Sequence, residues 1–315
     1  MRRAIIKQGR NTYTVSLPKK WCDSYGLKEG EDIDISEKGS CLVLSKEAYK
    51  GAGSISVDVT GLNGSTIILL IYSLYTYGYD EIRITTRDTK AHFYQRSRDM
   101  AIGTVIGFAL QKLMGAELVS STKTSYQIEV LTEDSRDKFD SVLRRIFRQI
   151  FELFDAYFDH VKREDIGIRE AVDTKFTETK RMVNYAMRLL NKFGHEDATK
   201  TTTYFAIVDF LGRIAQTIKN NVEYTIRDER PHLSRRCMEF LAQVRESFDL
   251  FYNMFYSYDV KKMHELQKNR DVWKNEVAET FRRLGNDDVM VLAAFELIYD
   301  NLLDLSELRM AIGYK

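Results

Sequence analysis

The chain has 315 residues, 44% of them hydrophobic and 30% charged, with Lys and Arg at 47 against Asp and Glu at 46. That composition excludes a mainly disordered chain. The net charge of +1 means that any electrostatic preference for a partner must lie in local asymmetry.

The length exceeds what one small core organises, so two or three domains are expected. Only two prolines occur, which predicts long uninterrupted helices over much of the chain. Cys22, Cys41 and Cys237 form no CxxC and fit reduced thiols better than a disulfide framework or a zinc knuckle. The longest apolar run, Thr66 to Tyr77, covers about 12 residues, short of the roughly 20 that a spanning helix needs. The opening MRRAIIKQGR carries charge with no apolar stretch behind it, unlike a secretory signal. A cytoplasmic protein without membrane insertion is expected.

Twelve of the seventeen glycines precede residue 120, so strands and turns are expected early and helices later. Residues 1–47 read as a small β-rich unit. Short strands are expected at Ala4–Gln8 and Thr12–Leu17, then a helix opened by Pro18 and ended by Gly26, with Trp21 and Tyr25 one turn apart. Two further strands are expected at Asp32–Ser36 and Cys41–Leu44. Such a unit is too small to close a core alone, and without a staple of its own it calls for a second polypeptide. Residues 48–133 read as an α/β unit. The expected order is a strand through Ile55, Val57 and Val59, a helix at Thr66–Tyr77, the strand EIRITT, a helix from about His92 to Met114, and the strands ELVSST and SYQIEVL. GAGSIS at Gly51 has neither the length nor the setting of a dinucleotide loop.

Residues 134–315 read as helical. Leu143, Phe147, Ile150, Phe154, Tyr157 and Val161 follow four-three spacing, as do Cys237, Leu241, Val244, Phe248, Phe251 and Phe255. FELFDAYFD and RESFDLFYN resemble each other, which predicts two related halves, 134–229 and 230–315. Such stripes are bundle core.

Templates for catalysis are empty: no GxxxxGK[ST], HExxH or GxSxG occurs, so no enzymatic activity is expected. The sharpest asymmetry is at the start. Residues 1–20 carry Arg2, Arg3, Lys7, Arg10, Lys19 and Lys20 and no acid, whereas 21–37 carry six acids against Lys28 alone. The positive pole is suited to tracking the phosphates of double-stranded DNA. Arg10 and Asn11, at the turn between the first strands, are placed to reach base edges.

The segment QGRNTYTVSLPKKWCDSYGLKEGEDIDI resembles a SpoVT/AbrB-type DNA-binding domain. LLIYSLYTYGYDEIRI and the helical duplication resemble the later parts of archaeal PhoU-type phosphate-uptake regulators fused to such a domain. The resemblance implies a multidomain α+β chain: a swapped-hairpin β domain that forms a homodimer, a small α/β domain and a C-terminal double three-helix bundle. It implies a transcriptional regulator of phosphate uptake or homeostasis that binds DNA. The alternative is an adaptor docking on a phosphate transporter or signalling protein, with the N-terminal domain used only for dimerisation. PhoU-type bundles carry carboxylate pairs that bind metal. Here Glu296 and Asp300 match such a pair, one turn apart on one helix face. The corresponding place in the first half reads Gly212 and Gln216, and Asp155 and Asp159 have the spacing on a different helix. Any divalent metal ion at Glu296 and Asp300 is therefore expected to be weakly held.

Overall fold

A computed structural model describes residues 2–38, 41–46, 53–94, 97–163, 167–227, 230–231 and 233–313. Contacts group the chain into two units, Met1–Lys50 and Gly51–Lys315. The expected boundary between residues 47 and 48 lies outside the described residues, as does residue 229.

In the first unit, β1 (Ile6–Gln8) and β2 (Thr12–Thr14) form an antiparallel hairpin with Lys7 opposite Tyr13. These strands are shorter than expected. Helix α1 (Lys19–Tyr25) follows, then the antiparallel pair β3 (Asp34–Lys38) and β4 (Cys41–Ser45). Pro18 stands at the cap position of α1, with its carbonyl accepting from the Trp21 and Cys22 amides at 2.9 and 3.1 Å. Gly26 ends the helix at φ 63°, a left-handed conformation that glycine adopts without a Cβ clash.

The second unit begins with an α/β layer. Strand β5 (Ser54–Asp58) leads through α2 (Gly64–Tyr77) to β6 (Glu81–Thr85), which pairs with it in parallel. The helix starts two residues earlier than the apolar run suggested, because the Asn63 side chain accepts from the Thr66 amide at 3.0 Å and satisfies an orphan donor of the first turn.

The long helix expected from about His92 to Met114 is not formed. Two antiparallel strands stand there instead, β7 (Lys90–Phe93) against β8 (Arg98–Ala101), and among the described residues of that stretch the α-helix is α3 (Ile102–Leu110). The physical reason is a two-residue alternation: Ala91 and Phe93 are buried while Lys90 and His92 face out, as in a half-buried strand. His92 faces Asp99 across the hairpin at 2.7 Å. Phe93 lies against α2 at Gly64, where an added Cβ would meet its ring at 2.0 Å, so only glycine fits there.

Strands β9 (Ala116–Ser121) and β10 (Ser125–Val130) complete a four-stranded sheet in the order β5-β6-β10-β9. Ile82, Ile84 and Ile128 of the sheet are buried together with Ile67, Ile71 and Tyr75 of α2 and Val105 and Ile106 of α3. Residues 133 and 134, where the helical part was expected to begin, lie between β10 and the first long helix.

Six long helices follow: α4 (Phe139–Arg163), α5 (Ile168–Phe193), α6 (Thr201–Thr225), α7 (Arg235–Tyr256), α8 (Val260–Thr280) and α9 (Asn286–Gly313). A two-residue hairpin, β11 (Ile226–Arg227) and β12 (Arg230–Pro231), joins α6 to α7. Every residue of the two expected stripes is buried, and all six helices share one hydrophobic core. The two similar segments lie against each other, with Phe151 and Phe154 of α4 at 4.9 and 5.7 Å between ring centroids from Phe248 of α7.

A buried ion network ties the helices to the α/β layer. Arg188 of α5 is 0% exposed. Its Nε donates to Asp134 at 2.9 Å, its Nη1 donates to the carbonyls of Tyr75 and Tyr79 at 3.0 and 2.7 Å, and its Nη2 donates to Asp80. Lys192, one turn on, donates to Asp80 and Asp134 at 2.7 and 3.0 Å. Asn184 adds a bond to the Lys112 carbonyl at 2.9 Å. A buried arginine needs this full set of acceptors to offset its lost hydration.

Candidate nucleic-acid interface

The N-terminal unit presents its cations as a consequence of how little it buries. None of residues 2–35 is buried. Arg2 and Arg3 lie on the extended chain before β1, Lys7 lies in β1, Arg10 and Asn11 in the hairpin turn, and Lys19 and Lys20 in the first turn of α1. All seven are exposed. No ion pair joins Arg2, Arg3, Lys7, Arg10, Lys19 or Lys20 to a carboxylate among the described residues. Unpaired, flexible cations on one small unit are available to neutralise phosphates and release counterions.

Local hydrogen bonds give the unit its shape. Thr14 Oγ1 donates to the Ile6 carbonyl at 3.3 Å across the hairpin. The Trp21 and Tyr25 rings lie 5.7 Å apart. Lys46 Nζ donates to the Tyr25 carbonyl at 2.9 Å, linking the residue after β4 to the end of α1. Of the acidic residues expected to form a negative pole, Glu31 accepts from the Lys28 amide at 3.1 Å and so closes the turn after α1. Its role there is local.

Apolar side chains stand among the cations. Ile5, Ile6, Tyr13, Val15, Tyr25, Ile35 and Leu42 are all exposed, with Ile6 at 60% and Tyr13 at 68%. Lys7 and Tyr13 face each other on one side of the hairpin. Tyr13 is an exposed ring beside the cations that the charge pattern alone passed over; its signal was its place opposite Lys7.

The carboxylate pair of α9 is already engaged. Lys274 Nζ lies 2.5 Å from Glu296 and 3.6 Å from Asp300, and Arg270 Nη2 donates to Asp300 at 2.9 Å. The Asp300 carboxylate holds the Arg270 guanidinium above its ordinary pKa. Two cations of the neighbouring helix α8 stand opposite the two carboxylates of α9. On α4, Asp155 accepts from Arg245 Nε of α7 at 3.0 Å. Among the described residues no group of three or more His, Cys, Asp or Glu is arranged to hold a metal ion. No helix among them is long and apolar enough to cross a membrane.

Comparison with known proteins places the N-terminal unit. No curated protein and no solved structure matches the chain. Residues 6–51 match the family described as antidote-toxin recognition MazE, bacterial antitoxin. Domains of the MazE/AbrB type bind DNA and often dimerise. The chain therefore carries an N-terminal MazE/AbrB-like domain, followed by a mixed α/β sheet region and an all-helical part of about six helices.

Proposed function

We propose that this protein is a dimeric DNA-binding regulator whose target process is phosphate uptake or phosphate homeostasis. The observation that carries the DNA reading is the set of six exposed cations on a MazE/AbrB-like unit with no carboxylate partner among the described residues. Arg2, Arg3, Lys7, Lys19 and Lys20 hold backbone phosphates, and Arg10 and Asn11 at the turn reach base edges. Two copies supply two such turns, so the operator is expected to consist of two half-sites. The phosphate link rests on the resemblance of the middle and helical segments to PhoU-type regulators.

Homodimerisation is the second element of the proposal. It is supported by the exposed Ile5, Ile6, Tyr13 and Val15, which a second copy would bury. Under the adaptor reading the same dimer forms, but the helical unit docks on a phosphate transporter or signalling protein and the N-terminal cations contact no nucleic acid.

Fluorescence anisotropy on duplex DNA across a salt series separates the two readings. The regulator requires affinity that falls steeply with salt. In Arg10→Ala/Lys19→Ala the logarithmic slope should become shallower by about 0.9 per phosphate contact removed. An unchanged slope in that variant removes the assignment of these residues. Absence of saturable binding by the full chain favours the adaptor. Genome-wide mapping of bound DNA, with and without phosphate starvation, tests the regulatory link: occupancy that ignores phosphate supply would sink it.

A further inference from the structure

One cleft in the second unit has a lining that the DNA reading does not use. It runs along the exposed stripe of α4, between α5, α7 and the stretch after β10, and has a volume of about 750 Å³. That size lies within the range of small-molecule sites. Phe151, Met182, Tyr185 and Tyr252 supply apolar and aromatic wall. Tyr185 is buried, and Tyr252 packs edge-on against Phe151 with centroids 5.6 Å apart. These rings are held by the helix core.

The rim is strongly positive. Lys138, Arg144, Arg145 and Arg148 line it, and Glu133 is the one carboxylate among the described lining residues. The run RRIFR places Arg145 and Arg148 three apart and Arg144 and Arg148 four apart, so all three lie on neighbouring turns of one helix face. Arg145 has no partner among the described residues. Arg148 lies 3.8 Å from Glu152, an exposed contact that contributes little. Arg144 lies over the Tyr256 ring at 5.1 Å, a contact that does not neutralise its charge. The cleft begins at the N-terminal end of α4, where the helix dipole has the same sign as these side chains.

Concentrating like charges on one face opposes folding by self-repulsion, and here nothing in the helix packing requires it. Planar guanidinium groups suit phosphate oxygens, and an aromatic wall suits a flat ring. We propose that this cleft binds a phosphorylated ligand carrying an aromatic ring, of the nucleotide class. Arg145 and Arg148 hold the phosphate, with Lys138 and Arg144 adding charge at the rim. Tyr252 and Phe151 take the base. Inorganic phosphate would use the rim alone and leave the apolar wall wet.

Calorimetric titration of the full-length protein with AMP, ATP, ribose 5-phosphate and inorganic phosphate tests the assignment. The expected result is saturable nucleotide binding at one site per chain, with ribose 5-phosphate weaker than AMP by at least about tenfold. Arg145→Ala/Arg148→Ala, at exposed positions, should keep the circular-dichroism melt and weaken nucleotide binding by at least about tenfold. Arg10→Ala/Lys19→Ala should bind nucleotide like the unaltered chain, which separates this site from the DNA interface. The proposal is overturned if no nucleotide binds saturably, or if the α4 variant binds as well as the unaltered chain. It is equally overturned if ribose 5-phosphate matches AMP, or if binding is lost in the N-terminal variant.

Discussion

Between residues 2 and 35 the N-terminal unit buries no side chain, whereas in the second unit six helices share one core that buries Trp273, and Arg188 is buried beside the α/β layer. Both regions are built from ordinary elements with sound local chemistry. The first has a left-handed glycine at the end of α1 and a hairpin in register; the second has amphipathic helices and a capped α2. They differ in how much apolar surface each element can cover. A 25-residue helix such as α4 buries a stripe of twelve residues. A three-residue strand leaves its side chains exposed on both faces. Sound local geometry is therefore not enough to close a core, and the proposed dimer would supply the first unit with the burial that the second unit finds within one chain.

Removing the N-terminal unit gives the largest expected effect. A chain starting at residue 53 should keep its helical circular dichroism and a cooperative melt, while sedimentation shows loss of the dimer. A dimer that survives the truncation would place the self-contact in the second unit and reverse the comparison.

The ion network of the second unit comes next. Arg188→Ala leaves Asp134, whose side chain is 3% exposed, with Lys192 as the one cation it still pairs with among the described residues, and takes the guanidinium donor from the Tyr75 and Tyr79 carbonyls. Breaking a buried pair from one side costs about 3–5 kcal/mol, measurable as a lower denaturation midpoint at unchanged m-value. A loss below about 1 kcal/mol would mean that water replaces the guanidinium and that the network is not a structural link.

Ile6→Ala sharpens the comparison from the other side. In an isolated chain this exposed residue should matter by less than about 0.5 kcal/mol. Buried by a second copy it should cost roughly 2 kcal/mol or more, with a melting temperature that falls on dilution. The second outcome is expected, and a concentration-independent melt would count against the dimer.

The smallest effect concerns thiols. Burial, reinforced by Asp288, pushes the Cys237 thiol well above its ordinary pKa, so it stays protonated and unreactive at pH 7–9. Cys22 is partly exposed. Mass spectrometry after brief alkylation should find Cys22 modified and Cys237 intact until denaturant is added. Equal labelling of both would show that the α7 core opens readily.

The long periodic helices were legible because four-three stripes such as Phe147, Ile150 and Phe154 repeat over many turns, and each repeat adds to the signal. Helix α1 was legible from Pro18 and Gly26, two residues with narrow conformational roles. The pairing of β7 with β8 was not legible: four alternating residues carry too little periodicity, and Ser97, just before β8, holds φ 44° without being a glycine. The cations of the candidate DNA interface could be listed from composition, but their exposure, and the lack of carboxylate partners among the described residues, could not.

The residue pattern by itself determined element type wherever a helix stripe was long, and the charge asymmetry of residues 1–37. It also placed Glu296 and Asp300 on one helix face. Only the tertiary structure decided what meets those carboxylates, because Lys274 and Arg270 come from α8 and no spacing within α9 encodes them. It alone decided that Arg188 would be buried, since its acceptors lie more than fifty residues away in sequence. Local preferences act within a turn or a strand pair, and such long-range pairings are set when the cores close around them.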